Sequence, residues 1–427
     1  MIVSTPLVAT ATALRSGQLD LLAFVDQVCQ RIDAHEPHIQ ALVPEPDRRS
    51  RLLSEATALQ KRFPDPQSRP PLYGILLGVK DIFSVDGFPT HAGSQLPPEL
   101  FEGREASCVT RLREAGVLLL GKTISTEFAY FEPGPTRNPH NLKHTPGGSS
   151  SGSAAAVAAG FCPLALGTQT IGSVVRPAAF CGVVGFKASY GRIATDGLIS
   201  CAASLDTIGF FTQDVAGIAL VAPLLCNDWK PITPNRMPVL GVPEGPYLAK
   251  ASSEGRAAFE QSVTSLQKAG YLVRHVAAMH DIDAIIYRHG RMLAAEMAQV
   301  HATWFAQYES LYHPRTAALI RQGQGVSTEE LATARTGRPA LRQELEGLMT
   351  QHGIDLWISP AAPGPAPEGI TTTGDPVMNL PWTHAGLPAI ALPAGRSAHG
   401  LPLGLQVVGA FMADEQLVAW AQELALA

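Results

Sequence analysis

Short apolar segments alternate with amphipathic helical segments along the first half of the chain. Residues 72–79 form an apolar run bounded by prolines and Asp81, and residues 117–121 form a second run directly after a predicted helix over residues 106–115. Apolar runs of this length, without polar alternation, are typical of strands covered on both faces. The pattern therefore predicts an α/β fold in which helices flank a largely buried sheet.

The rest of the chain continues this alternation. Further strands are predicted at residues 182–186, 208–211, 239–242, 356–358 and 389–392. Helices are predicted over residues 16–28 and 49–62, and residues 252–350 are mostly helical in pattern. No internal repeat separates these segments. The sequence therefore predicts one domain over residues 1–427, with a variable helical region at about residues 250–350.

Composition argues against several classes of function. Apolar residues make up 46% of the 427 residues and charged residues 16%, which indicates a large buried core. The net charge of −5 argues against nucleic-acid and membrane partners, which favour basic patches. Six cysteines without a C-x-x-C pair indicate reduced, buried thiols. Because we find neither a secretory signal nor a membrane-spanning apolar stretch, we expect a cytoplasmic protein.

Two glycine- and serine-rich runs stand near the middle of the chain. Residues 146–153 have the sequence Pro-Gly-Gly-Ser-Ser-Ser-Gly-Ser, and residues 167–177 have the sequence Gly-Thr-Gln-Thr-Ile-Gly-Ser-Val-Val-Arg-Pro. Together they offer a serine nucleophile, a second serine to relay its proton, and main-chain N–H groups for an oxyanion. Either run alone is also compatible with an ordinary turn.

A serine nucleophile requires a base, and the sequence offers two kinds. None of the 13 histidines stands in a recognisable motif, although His140 and His144 precede the first run. A lysine kept neutral by burial is the alternative. Lys80 ends an apolar run, where charged residues are normally excluded, but it could equally pair with Asp81. Lys122 ends a similar run, and pattern alone does not separate the two lysines.

The first run also matches the Gly-x-Ser-x-Gly elbow of α/β-hydrolases, with Ser150 as nucleophile. That motif follows a strand, whereas residues 141–146 are polar and end in proline. A phosphate-binding loop would need a Gly-Lys-Ser or Gly-Lys-Thr after the run, and none follows. Both alternatives are therefore disfavoured.

Longer motifs over most of the chain resemble the amidase signature family, hydrolases with a serine–cis-serine–lysine triad. The resemblance is carried, in chain order, by residues 78–81, 87–94, 112–123, 127–129, 146–153, 167–177, 182–187, 386–389 and 400–406. It implies a single large α/β domain with a central mixed β-sheet flanked by helices, and a catalytic core at about residues 70–215.

Carried over by position, the resemblance implies a role for each site residue. Ser173 matches the nucleophile, Ser149 the cis-serine and Lys80 the general base. Ser150 matches a supporting hydroxyl. The N–H groups that match the oxyanion hole are those of Thr170, Ile171, Gly172 and Ser173. This chemistry implies no metal and no cofactor.

Two departures from the family pattern bear on the substrate. Gln169 replaces the usual aspartate and cannot form an ion pair with Arg176, which would leave Arg176 free to bind a substrate carboxylate, unless it is held elsewhere in the fold. Ile171 replaces a glycine and is expected to narrow the pocket. These features are most similar to malonamidase-like members, which implies a small carboxylate-bearing amide, with Arg176 and Gln169 as substrate-binding residues.

The predicted function is hydrolysis of a small amide through an acyl-enzyme on Ser173, by a homodimer that binds neither nucleic acid nor membrane. The alternative is an amidase-like subunit that is weakly active alone and works with a partner protein, such as a small accessory chain. Ammonia release by the isolated chain distinguishes these two functions.

Overall fold

Parallel and antiparallel strands share one sheet at the centre of the computed structural model, which describes residues 2–425. The strands within these residues are β1 Leu76–Lys80, β2 Leu118–Thr123, β3 Leu164–Gln169, β4 Val184–Lys187, β5 Thr207–Thr212, β6 Leu240–Glu244, β7 Val273–Ala277, β8 Leu356–Pro360, β9 Ala389–Arg396 and β10 Pro402–Val408. The α-helices in the same part of the chain are α1 Leu7–Ser16, α2 Leu21–Ile39, α3 Arg48–Arg62, α4 Ser107–Glu114, α5 Ser151–Ala158, α6 Val175–Cys181, α7 Val215–Leu225, α8 Ser253–Lys268, α9 Ile282–Val300, α10 Ala302–Tyr308, α11 Pro314–Gln324, α12 Thr328–His352, α13 Leu380–Ala385 and α14 Asp414–Leu424.

The sheet has the strand order β2-β1-β3-β5-β4-β9-β10-β8-β6-β7. Strand β1 is parallel to both β2 and β3, and β6 is parallel to both β7 and β8. The strands between these two groups pair antiparallel, and the β4–β9 pairing joins the first half of the chain to the second. The predicted single α/β domain with a mixed sheet and flanking helices is confirmed.

Burial follows the apolar runs that the sequence contains. Strands β1 to β5 are buried along their whole length, as expected for strands covered on both faces. Although β2 is an edge strand, Arg51 of α3 covers it by donating to the carbonyls of Leu119 and Leu120 at 3.0 and 3.3 Å. Such a contact protects an otherwise open sheet edge.

Most predicted elements are present, with one helix placed wrongly. The helix predicted over residues 16–28 begins later than predicted. Residue Ser16 belongs to the preceding helix α1, which Gly17 ends by taking the left-handed conformation (φ 78°). Helix α2 begins only after Asp20, whose side chain caps it by accepting from Ala23 N. Strands β3, β7 and β10 were not predicted. Strand β7 interrupts the mostly helical region 252–350.

All six cysteines are buried and unpaired, which confirms the thiol prediction. None of the helices within residues 2–425 combines the length and apolar character that a membrane crossing requires.

The fold brings the two glycine- and serine-rich runs together. Strands β1 and β3 are parallel neighbours, so their carboxyl ends lie at the same edge of the sheet. Lys80 ends β1, and the second run continues from the end of β3 through a turn into α6. The first run leads directly into α5, which packs on β3, β1 and α6.

Candidate active site

Lys80 and Ser149 are hydrogen-bonded in the interior of the protein. Lys80 is fully buried, and its Nζ donates to Ser149 Oγ at 2.7 Å and to Thr168 Oγ1 at 2.9 Å. Burial lowers the pKa of Lys80 to about 7, although the nearby Asp206 carboxylate opposes this effect. A large fraction of the amine is therefore neutral near pH 7.

Lys122, the penultimate residue of β2, has different partners. In the parallel pairing of β1 with β2, Lys122 lies opposite Val79, one position before Lys80. Because side chains alternate along a strand, the two lysines project to opposite faces of the sheet. Asp81 shares the face of Lys122 and forms an ion pair with it, Nζ to Oδ1 at 2.8 Å. Asp81 is thus the partner of Lys122 and not of Lys80.

The first serine run forms a tight turn before α5. The peptide bond between Gly148 and Ser149 is cis, at the position that the resemblance implies. Ser150 is bound to the main chain of β3: its hydroxyl donates to Thr168 O at 3.2 Å and accepts from Thr168 N at 3.3 Å. Residues 141–150 contain no strand, so the elbow of the α/β-hydrolases is not formed.

The second run places Ser173 in the turn between β3 and α6, buried but accessible to a cavity. Residues 170–173 lie between β3 and α6, and none of their main-chain N–H groups donates to a main-chain carbonyl within residues 2–425. Ile171 is not among the residues with positive φ, so its β-branched side chain is accommodated without left-handed backbone.

Gln169 organises the start of α6. Its Oε1 accepts from Val174 N at 2.9 Å and from Val175 N at 3.0 Å, while its Nε2 donates to Thr383 Oγ1 at 2.9 Å. The fully buried amide therefore has three protein partners. A glutamine suits this position because it accepts at one end and donates at the other.

Arg176 is a buried cation whose hydrogen-bond acceptors are all neutral. Its guanidinium donates to the carbonyls of Gly374 and Gly148 at 2.7 Å each and to the Thr373 hydroxyl at 3.1 Å. Its Nε is buried without a partner among the described residues. Burial lowers the pKa of Arg176 to about 10, with Asp375 opposing, so the group stays charged at neutral pH.

Ser173 and Arg176 line the same small cavity. Its other lining residues are Ala129, Tyr130, Phe131, Thr170, Ile171, Cys201, Leu293 and Pro376. Most of these side chains are apolar, as in small-molecule sites in general. Sequence reasoning missed Tyr130, Cys201 and Leu293, because segments distant in the chain meet here only after folding.

The histidines next to the first run face main-chain carbonyls. His140 Nε2 lies 2.9 Å from Cys181 O, and His144 Nδ1 lies 2.8 Å from Ala366 O. Over the described residues 2–425, no three histidine, cysteine or carboxylate side chains are grouped as potential metal ligands.

Fold and site together define an amidase-type protein: one mixed α/β domain that buries a lysine–serine pair and places a further serine, in the turn after β3, at a small cavity. The chain belongs to the Amidase family, whose model it matches over residues 23–418. It is therefore a protein whose chemistry concerns amide C–N bonds.

Known proteins resemble the chain over nearly its whole length. It is 30% identical to a glutamyl-tRNA(Gln) amidotransferase subunit of Synechococcus sp. (strain RCC307), over 97% of this chain and 95% of that protein. An amidase crystal structure superposes with a TM-score of 0.90 at 32% identity, covering 99% of both chains. A structure from a vestigial protein complex related to the origins of an s-triazine catabolic enzyme has a TM-score of 0.88 at 26% identity, covering 99% of this chain and 98% of that one.

Proposed function

We propose that this protein hydrolyses the C–N bond of a small, carboxylate-bearing amide through an acyl-enzyme on Ser173. The observations that carry the proposal are the buried Lys80 amine, 2.7 Å from Ser149 Oγ, and a small cavity lined by Ser173 and by Arg176, which donates to Gly148 O next to Ser149. Burying an ionisable amine is costly unless the neutral form is used or the charge is paired. The hydrogen-bond partners of Lys80 are two hydroxyl groups.

The reaction has two stages. In the first, neutral Lys80 accepts the proton of Ser149, and Ser149 accepts the proton of Ser173 while Ser173 Oγ bonds to the amide carbon. The proton returns along this relay to the leaving nitrogen as the C–N bond breaks. In the second stage, water attacks the ester and gives its proton to the relay. The product acid then leaves, and Ser173 regains its proton.

The N–H groups of residues 170–173 are assigned to the oxyanion. Main-chain donors fixed in advance stabilise the developing negative charge without reorganisation during the reaction. Two contacts support this assignment, since Ser150 is bound to the β3 main chain and the Gln169 amide is bound to the first N–H groups of α6. Gln169 therefore acts on the substrate indirectly, by orienting the segment that leads to Arg176.

Arg176 is assigned to a substrate carboxylate. Its hydrogen-bond acceptors are all neutral carbonyl and hydroxyl groups, and its Nε has no partner among the described residues. A carboxylate in the cavity would supply both the negative charge and an acceptor. The small size of the cavity favours short acids. The monoamide of a three-carbon dicarboxylic acid, malonamate, is the probe that fits this description.

Ammonia release from malonamate tests the reaction. Ser173→Ala is expected to lower kcat by about 10⁴-fold or more, and Lys80→Ala nearly as much, because each removes part of one catalytic unit. Ser107→Ala, which alters a surface serine bonded to Asp196, serves as the control with unchanged kcat. Retained activity in Ser173→Ala would contradict the assignment.

A second comparison tests the carboxylate site. Arg176→Ala is expected to raise KM for malonamate by about 30-fold or more, as for loss of a charge-assisted pair, and KM for the neutral propionamide by less than about threefold. Equal effects on the two amides would refute the role of Arg176.

Partner-dependent function is the second candidate, because a glutamyl-tRNA(Gln) amidotransferase subunit is among the relatives and one structural neighbour comes from a protein complex. A folded isolated chain that releases no ammonia from a panel of small amides would favour this alternative. Light scattering on the same sample tests the expected homodimer.

A further inference from the structure

Asp206 lies outside both serine runs, yet it contacts the second run directly. It immediately precedes β5 and is buried. Its Oδ1 accepts a hydrogen bond of 2.6 Å from Thr170 Oγ1. Its Oδ2 accepts from Ser200 Oγ at 2.7 Å, Cys201 N at 2.9 Å and Ala202 N at 3.1 Å. One carboxylate thus joins the loop of residues 200–206 to the end of β3.

These hydrogen bonds fix two walls of the reaction cavity at once. Thr170 and Cys201 both line the cavity beside Ser173. Thr170 is also the first of the four residues whose N–H groups are assigned to the oxyanion. Hydrogen bonds to a carboxylate are stronger than those between neutral groups, and four of them on one buried side chain hold the turn and the loop in a single arrangement.

A second carboxylate anchors this loop to the helical region. Glu296 of α9 is buried, and its Oε2 accepts from Ser204 N at 2.8 Å. Its Oε1 accepts from Arg335 Nη2 of α12 at 2.7 Å. Leu293, one turn earlier on α9, lines the cavity. The loop that carries Asp206 is therefore held from the helical region as well as from the sheet.

We infer that Asp206 is a positioning residue for the reaction at Ser173: through the Thr170 hydroxyl it holds the oxyanion-binding segment 170–173 in its productive arrangement. This inference rests on the hydrolysis proposed above. Asp206 would act through Thr170, whose main chain faces the substrate, and not by touching the substrate. Glu296 would support it by fixing the loop.

Substitutions at Thr170 test the hydroxyl side of the hydrogen bond between Thr170 and Asp206. Thr170→Val removes the hydroxyl at nearly constant volume, and we expect kcat for malonamate to fall about 10- to 100-fold, as for a lost bond to a charged group, with KM changed less than about threefold. Thr170→Ser keeps the hydroxyl and is expected to recover kcat to within about threefold of the unmodified protein. Ser107→Ala, with the same type of 2.6 Å contact to Asp196 at the surface, should leave kcat unchanged.

Asp206→Asn tests the carboxylate side of the same hydrogen bond, and the pH dependence of the rate provides a second measurement. The charged and titratable groups that interact with Asp206 are Lys80 of β1 and Cys201 of the loop, and Cys201 also interacts with Glu296 of α9. The Asp206 charge raises the pKa of Lys80 against the effect of burial. Losing it should move the acid limb of the pH–rate profile to lower pH, in addition to lowering kcat. Thr170→Val leaves the Asp206 carboxylate in place and should move that limb less than Asp206→Asn does.

Several outcomes would overturn the inference. Unmodified kcat in Thr170→Val, or an equal loss of kcat in Thr170→Ser and Thr170→Val, would contradict it. If Asp206→Asn does not fold, the Thr170 pair decides alone. The unmodified protein and Ser173→Ala are assayed in parallel: no Ser173-dependent release of ammonia would contradict the hydrolysis proposal, and the positioning role with it. Activity that depends on Ser173 but does not change when the Thr170 hydroxyl is removed would contradict the positioning role only.

Discussion

Lys80 must enter the proposed reaction as a neutral amine, so the pH dependence of activity reports its titration. Burial lowers its pKa to about 7. Because the deprotonated form is the base, kcat/KM for malonamate should rise as the pH increases through about 7 and then level off. The measurement is kcat/KM from about pH 5.5 to about pH 9. A profile that is flat or falling across neutral pH would be inconsistent with Lys80 as base.

Ile171 sets the width of the cavity where other members of the family usually have glycine. Its side chain lines the cavity together with Leu293. Ile171→Gly should therefore raise kcat/KM for the five-carbon glutaramate relative to malonamate by about tenfold, the scale expected for a pocket contact with one or two methylenes. Ile171→Val, which keeps the branched side chain, should change this ratio little. An unchanged ratio in Ile171→Gly would show that another wall limits the substrate.

The two lysines show what the sequence could predict at this scale. Burial of a lysine at a strand end follows from the apolar runs, and resemblance favoured Lys80 over Lys122. The physical reason to prefer Lys80 as the base is the register of β1 against β2. This register places Asp81 on the same face as Lys122, where the two form an ion pair. The register depends on how two distant segments align, so it cannot be deduced from either apolar run alone. Asp206 was missed for the same reason, since its partner Thr170 is 36 residues away.

At the scale of elements, the turn from β3 into α6 depends on one amide. Gln169→Leu keeps most of the volume but leaves two buried N–H groups of α6 and the Thr383 hydroxyl without their Gln169 contacts. We expect the free energy of unfolding to fall by about 2–4 kcal/mol, the cost of unsatisfied buried polar groups. Urea denaturation measures it.

The control for that experiment is Gln30→Leu, which removes an exposed side chain bonded to Asp26. Surface changes of this kind usually alter stability by less than about 0.5 kcal/mol. Equal effects of the two substitutions would mean that Gln169 has no special part in starting α6.

Strands β3, β7 and β10 were missed because the local sequence of each does not have the pattern of a buried strand. Strand β7 lies at the edge of the sheet, and its pattern is largely exposed, so no apolar run marks it. Strand β10 begins at Pro402 and contains Gly404, two residues that usually argue against a strand. Strand β3 leads into the second serine run, and its Gly167-Thr168-Gln169 end resembles a turn. In each case tertiary pairing overrides local preference.

At the scale of the whole molecule, the centre of the sheet joins the two halves of the chain and contains a third buried lysine. Lys187 ends β4, opposite Gly209 of β5 and Ala389 of β9. It is fully buried, and its Nζ donates to Ala188 O at 2.8 Å. Burial lowers the pKa of Lys187 to about 7, although the Asp414 carboxylate opposes this.

This lysine links the stability of the fold to pH. In the unfolded chain Lys187 has an ordinary pKa near 10.4, so between about pH 7 and pH 10 the unfolded state binds the proton that the folded state has lost. Stability therefore rises with pH in this window. Lys187→Met removes the contribution, and the free energy gained from about pH 7 to pH 8.5 should be smaller than in the unmodified protein by about 1–2 kcal/mol. Urea denaturation at the two pH values measures the difference, with the exposed Lys268→Met as control. An identical pH dependence in Lys187→Met and the unmodified protein would mean that Lys187 stays protonated in the folded sheet.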